Sequence, residues 1–373
     1  MRSRVPTVFI LILVFLAVFN PVTAQDSPFT IQTIRIENMP AYDIKVAPDG
    51  RTAAVYAGAT SLNLLGMPFF EYDVVPGLLP IRLIDLSTGA EIARLTGPTD
   101  YISDVAFSPD GVLLASYHRN GEIYLWDTAS GELKQRLNVL MGQGKLAFLP
   151  DGKTLVTYLT DANVGQFLLW DVETGYMTRV WRESYRAFGD LQLGQPPGNM
   201  DYRYIAFDIS PDGTLLATAT PNGELVVWDT ETLTQTEVQP KADKPMMLNI
   251  RSLTFSPDSS TLVYFDTLSE QTHFWDVASQ SETASIDVGN TFFGVSPNRD
   301  ILVWATRTEL WFARPDQPDV ATKVLDFPGD LLVAWPAVVF VSDSSVIVGG
   351  FGMRSGGDSL VYGENLLYII TFN

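Results

Sequence analysis

Three features predict an all-β, seven-bladed β-propeller of four-stranded antiparallel blades. A tight-turn anchor recurs along the chain, a Trp-Asp anchor follows each turn, and an unmatched alternating segment stands at the N-terminal end. The expected domain spans residues 25–373, and its ring is closed by the N-terminal strand pairing with the C-terminal blade.

The turn anchors come first. Phe107-Ser-Pro-Asp-Gly111, Phe148-Leu-Pro-Asp-Gly152, Ile209-Ser-Pro-Asp-Gly213 and Phe255-Ser-Pro-Asp-Ser259 are clear copies. Val46-Ala-Pro-Asp-Gly50, Val295-Ser-Pro-Asn298 and Val341-Ser-Asp-Ser344 are weaker ones. Proline presets φ, aspartate caps its own backbone, and glycine takes the last position, so each anchor joins two strands. The second anchor is Trp126-Asp127, Trp170-Asp171, Trp228-Asp229 or Trp275-Asp276, with degenerate copies at Ile84-Asp85, Trp311-Phe312 and Tyr368-Ile369. Glu122-Ile-Tyr-Leu-Trp126 reads as a third strand, and Thr128-Ala-Ser-Gly131 as the turn to a fourth, Glu132–Leu137. Four short strands per unit, repeated, make propeller blades.

These anchors resemble WD40 repeats, most closely from Gly97-Pro-Thr-Asp-Tyr-Ile-Ser-Asp-Val-Ala-Phe-Ser-Pro-Asp-Gly111 to Trp126-Asp127, and the resemblance covers residues 28–373. It implies a rigid interaction platform. WD40 repeats usually carry a Gly-His pair whose histidine joins a buried network with the tryptophan. Gly97-Pro98 stands there instead, and the two histidines, His118 and His273, lie elsewhere. The network is therefore expected to be absent or rebuilt, with cohesion coming mainly from apolar packing.

Ring closure follows from counting. The last unit holds three strands, Val333–Val341, Ser345–Val348 and Leu366–Phe372. Phe29–Ile36 alternates with period two and is expected to supply the missing outer strand, which removes an open sheet edge.

Residues 1–24 are expected to be a signal peptide. Arg2 and Arg4 precede an apolar run, Val8–Phe19, then Asn20-Pro21 and small residues ending at Ala24. Twelve helical residues rise about 18 Å against a hydrocarbon core of roughly 30 Å. Cleavage leaves no membrane span and implies a secreted, cell-surface or periplasmic protein. The formal charge is −19, and cleavage removes two arginines and no acid. Such a surface repels nucleic-acid backbones and polybasic membrane modes are excluded too. With no cysteine, disulfides and thiolate chemistry are excluded.

Strand order sets the faces. Calling the strands of a blade a to d, the a–b and c–d turns share one face, and the b–c and d–a connections share the other. The long insertions, Gly58–Leu79, Arg182–Tyr204 and Gly349–Glu364, all fall on the second face. The first is apolar, with Phe69, Phe70 and Tyr72 among its members and no Lys or Arg. It reads either as a contact patch or as a plug packed over the ring. The second concentrates Tyr185, Arg186, Phe188, Tyr202, Arg203 and Tyr204, residue types favoured in binding hot spots for a protein, peptide or glycan. Its alternative is a self-packed loop.

No nucleophile elbow, phosphate loop, dinucleotide fingerprint or zinc helix is present, and no cofactor or metal is expected. His118 reads as a strand-end residue, and His273 as preceding its strand; neither has the partners of a triad. The expected function is a monomeric, non-catalytic binding module. The competing reading is a propeller enzyme of lactonase, lyase or glycan-hydrolase type using carboxylates at the channel mouth.

Overall fold

The computed structural model describes residues 28–36, 43–56, 80–97, 100, 102–118, 120–138, 143–160, 165–183, 207–219, 225–232, 234–239, 250–256, 258–266, 269–287, 292–296, 300–306, 308–314, 317–327, 332–355, 360–362 and 365–373. They form seven antiparallel sheets and no helix. The protein is a seven-bladed β-propeller.

Blade 1 is β2 (Asp43–Val46), β3 (Thr52–Tyr56), β4 (Ile81–Asp85) and β5 (Glu91–Leu95). Blade 2 is β6 (Ile102–Phe107), β7 (Leu113–His118), β8 (Glu122–Asp127) and β9 (Leu133–Asn138). Blade 3 is β10 (Gln143–Phe148), β11 (Thr154–Thr160), β12 (Gly165–Asp171) and β13 (Met177–Glu183). Blade 4 is β14 (Phe207–Ile209), β15 (Leu215–Ala219), β16 (Leu225–Asp229) and β17 (Gln235–Gln239). Blade 5 is β18 (Ile250–Phe255), β19 (Thr261–Asp266), β20 (Gln271–Asp276) and β21 (Ser281–Asp287). Blade 6 is β22 (Phe292–Val295), β23 (Leu302–Ala305), β24 (Glu309–Arg314) and β25 (Gln317–Asp326).

Blade 7 is built from both ends of the chain. β26 (Leu332–Ser342), β27 (Ser345–Ser355) and β29 (Asn365–Phe372) are its inner three strands, and β1 (Phe29–Ile36) is the fourth. β1 and β29 run antiparallel in unbroken register from Phe29↔Phe372 to Ile36↔Asn365. The closing strand expected from the sequence is therefore present. It also touches both neighbours. Phe29 meets Phe312 of blade 6 edge-on, with centroids 6.0 Å apart, and Ile34 joins the cluster of blades 1 and 2.

The turns follow their chemistry. In blade 2, Ser108 Oγ donates to Asp110 Oδ1 (2.6 Å), which also accepts from the Val112 N–H (3.0 Å). Gly111 adopts φ +72° and returns its N–H to the Ser108 carbonyl at 2.8 Å. The same bonds recur around Ser210-Asp212 and Ser256-Asp258. The aspartate after each tryptophan holds the next turn. Asp127 accepts from the Ser130 N–H and hydroxyl, Asp171 from Thr174, Asp229 from Thr232 and Asp276 from Ser279. The Ser130 backbone bond, ahead of the Ser130 hydroxyl, brings Asp127 down to about 2.

The core lies in the seams between blades. Leu137 and Tyr117 of blade 2 pack with Leu155 and Trp170 of blade 3, and equivalent clusters fill the later seams. Burial of this aliphatic and aromatic surface is worth about 25 cal/mol per Å². Polar clamps join inner strands as well. Asp104 Oδ2 accepts from the Leu146 N–H of blade 3 at 3.1 Å. Asp208 Oδ2 accepts from the Phe255 N–H of blade 5 at 2.8 Å and from Thr254 Oγ1 at 3.1 Å.

One expected loop is corrected. Gly349–Glu364 is not all loop, because β27 continues to Ser355 and β28 (Leu360–Tyr362) pairs back on it. Gly349 at its start marks close packing instead of a turn. A Cβ on Gly349 would sit 2.2 Å from Ile44 Cδ1 and 2.6 Å from Leu367 Cδ2, both in buried side chains.

Candidate functional site

The face carrying the b–c and d–a connections is the one to which the sequence assigned function. Phe69, Phe70, Tyr72, Tyr185, Arg186, Phe188, Tyr202, Arg203 and Tyr204 all lie outside the described residues. The described residues on that face come from the ends of b and d strands and the starts of a and c strands, and blades 2 and 5 hold its two histidines.

Blade 2 holds a buried polar network. Trp126 Nε1 donates to Ser116 Oγ (2.9 Å), and Ser116 Oγ lies 3.0 Å from His118 Nε2. His118 Nδ1 lies 3.2 Å from the Asp100 carbonyl, ahead of the strand. The ring is fully buried, and this burial brings its pKa down to about 4. The network is thus rebuilt, with its histidine on β7, in place of the missing Gly-His pair. His118 ends β7, as expected, but it is fully buried and serves as an internal strut of the blade.

The same tryptophan position makes a shorter version elsewhere. Trp170 Nε1 donates to Thr157 (3.1 Å), and Trp228 Nε1 to Thr218 (3.0 Å). In each case the hydroxyl sits two residues past the partner that faces the tryptophan across the b–c pair: Leu114, Leu155 and Leu216. Two residues along a strand return to the same face, so the rule is one of pleat geometry. Blade 5 has Tyr264 at this position, and it stacks on His273 at 5.0 Å.

Outside the blade 2 tryptophan stands a second layer. Tyr124 stacks on Trp126 at 5.6 Å, and Arg136 lies over the Tyr124 ring at 5.2 Å. Glu122 Oε2 accepts from Tyr124 Oη (2.7 Å) and Asn120 Nδ2 (2.6 Å). The tyrosine bond holds Glu122 below its ordinary range, while burial pushes Tyr124 up to about 12. Each polar group of the layer is engaged by another, so its chemistry is cohesion.

Blade 5 holds the second histidine. His273 lies inside β20, opposite Tyr264, and not ahead of the strand. Its Nε2 is 3.1 Å from Ser269 Oγ, and its Nδ1 is 3.2 Å from Glu282 Oε2. The sequence reading did not foresee this grouping, because the three residues meet only through the b–c turn and the c–d pairing. In distance it follows a nucleophile, base and carboxylate. In alignment it does not, since Nδ1 makes no hydrogen bond. Tyr264, not Glu282, fixes the ring. Among the described residues no group of three or more His, Asp or Glu is placed to hold a metal ion, and no helix is long and apolar enough to cross a membrane.

Residues 89–127 match the family model described as WD domain, G-beta repeat. The match runs from the turn before β5 through β8, so one sequence repeat joins the outer strand of blade 1 to the inner three of blade 2. The chain resembles the WD40-repeat propellers. Small ribosomal subunit protein RACK1z of Arabidopsis thaliana is 28% identical over 139 residues, which are 36% of this chain and 41% of that protein. A WD repeat-containing protein of Synechocystis is 26% identical over 168 residues, 37% of this chain and 48% of that protein. Coronin-7 of Mus musculus is 30% identical over 183 residues, 48% of this chain and 18% of that protein. The chain therefore spans less than half the length of the curated relatives it matches. The matched residues include the turn, tryptophan and hydroxyl of blade 2, a set that blade 4 repeats with Ser210, Trp228 and Thr218.

Proposed function

We propose that this WD40-like propeller is a non-catalytic scaffold that binds a protein or peptide outside the cytoplasm. One observation carries the reading. The ring is closed by a full eight-residue strand pair, so it forms a rigid frame, while the long connections of blades 1 and 3/4 leave from the strand ends of a single face. Loops held on a rigid scaffold are where binding residues concentrate.

The relatives support the same class of work. The plant proteins are named as small ribosomal subunit proteins, hence members of an assembly. For this chain the strong negative charge points away from nucleic acid and toward a protein or glycan partner. Export rests on the N-terminal apolar segment and its small-residue end.

The test is cross-linking mass spectrometry on the exported, full-length chain. Replacing Gly58–Leu79 with a Gly/Ser linker, or changing Tyr185, Arg186, Tyr202 and Arg203 to serine, is expected to remove the partner cross-links. Unchanged cross-links in both variants contradict the assignment of function to this face.

A further inference from the structure

The outer wall of blades 2 and 3 differs from the rest of the surface. β9 and β13 are outer strands of neighbouring blades. Their sequences, LKQRLN and MTRVWRE, hold four cations and one acid in a chain of net charge −19. Among the described residues β13 ends its sheet, so its outer edge is a template for another strand.

Apolar exposure concentrates at the same place. Tyr176, Met177 and Val180 are 76%, 48% and 42% exposed, and they are three of the eight large hydrophobics exposed among the described residues. Register separates the two sides of the strand. Met177 pairs with Trp170 and Val180 with Leu168, on the side packed against blade 2. Arg179 pairs with Leu169, on the side turned to blade 4. It makes no ion pair among the described residues.

Beside Arg179 a cleft of about 120 Å³ opens between blades 3 and 4. Val156, Phe167, Leu169, Ile209 and Leu216 line it, and Glu231 stands at its rim on the turn of blade 4. An apolar cavity of roughly 150 Å³ holds a benzene ring. This cleft is therefore the size for one aromatic or branched side chain.

We propose that the outer edge of β13 binds an extended, acidic and apolar peptide as a fifth strand of blade 3, with one apolar side chain in the blade 3/4 cleft and a carboxylate on Arg179. The proposal rests on the reading of the chain as a protein-binding scaffold and adds a second site, away from the loop face. Side chains of an added strand alternate. One set then meets Met177 and Val180, and the other meets Arg179 and the cleft. Main-chain bonds supply affinity and alternate side chains supply selectivity in such strand addition.

The probe is a fluorescein-labelled heptapeptide, Thr-Glu-Val-Phe-Val-Glu-Thr, with a twin carrying lysine for each glutamate. Anisotropy with the full-length chain is expected to show saturable binding of the glutamate peptide at least tenfold tighter than of its twin. Arg179→Glu is expected to reverse that preference, and Val180→Lys to weaken both. Both side chains are exposed, so the melting temperatures should hold. Hydrogen exchange should slow at the amides of Thr178–Glu183 when peptide is added. No saturable binding, unchanged preference in Arg179→Glu, or protection that avoids β13 overturns the proposal. So does a change of sedimentation in either variant without peptide, which makes this wall an interface between copies. If partner cross-links of the native chain persist in both variants while peptide binding fails, the scaffold reading stands and the strand-edge site falls.

Discussion

Ser116 connects Trp126 to His118, so removing one hydroxyl strands two buried nitrogens at once. Leaving a buried polar group unpaired costs about 1–3 kcal/mol. Ser116→Ala is expected to lower unfolding free energy by about that amount, while Ser116→Thr should hold it, because Thr157 and Thr218 already do the same work in blades 3 and 4. Urea unfolding distinguishes the two. His118 adds a pH dependence. Its folded pKa is brought down to about 4 by burial, against about 6.5 in an unfolded chain. The unfolded chain takes up the proton first, so this contribution is complete above about pH 6.5 and is lost as pH falls toward 4. The loss is about 3 kcal/mol at most. Urea midpoints at pH 7.5 and 4.5 should differ less in His118→Asn than in the native chain; an equal difference contradicts the strut. Below pH 4 the Asp127 turn weakens in its own right, as the carboxylate titrates down to about 2.

At the scale of elements, the strands and tight turns were legible because short-range chemistry sets them. Proline, aspartate and glycine fix Ser108–Gly111 whatever lies across the blade, and the β-branched and apolar residues of Phe29–Ile36 announce a strand, although Phe29 and Ile34 cover opposite sides of it and Ile31 is exposed. What failed to read was contact between elements. Gly349 looked like a loop opening, yet it is glycine because Ile44 and Leu367 crowd it from two blades. Gly349→Ala is expected to cost about 1–3 kcal/mol through overpacking, measured by urea denaturation. His118 was placed correctly at the end of its strand, but its role did not read, because its partners, Asp100 and Ser116, belong to the preceding connection and to the packed face. The Ser269, His273 and Glu282 grouping was invisible for the same reason. The candidate binding residues named from composition lie outside the described residues.

For the whole molecule, stability is shared among seams, and no blade is terminal. The chain has no cysteine, so closure depends on the eight-residue pairing of β1 with β29 and on the packing of Phe29 and Ile34 against blades 6 and 1. Deleting Ser27–Glu37 should therefore convert one cooperative transition into a broad one, read by calorimetry. It would leave β29 as an open edge with Ile347 and Leu367 under less cover. A frame closed in this way holds the strand ends that bear its connections in fixed relation, and that is the physical basis of the proposal that the b–c and d–a face binds a partner. The most direct test pairs Thr30→Cys with Thr371→Cys, two exposed residues that face each other across β1 and β29. In this cysteine-free background the account predicts a single disulfide on mild oxidation of the folded chain, with slower unfolding than the reduced form. Thiols that stay free, or a disulfide that leaves the unfolding rate unchanged, would contradict the closed ring.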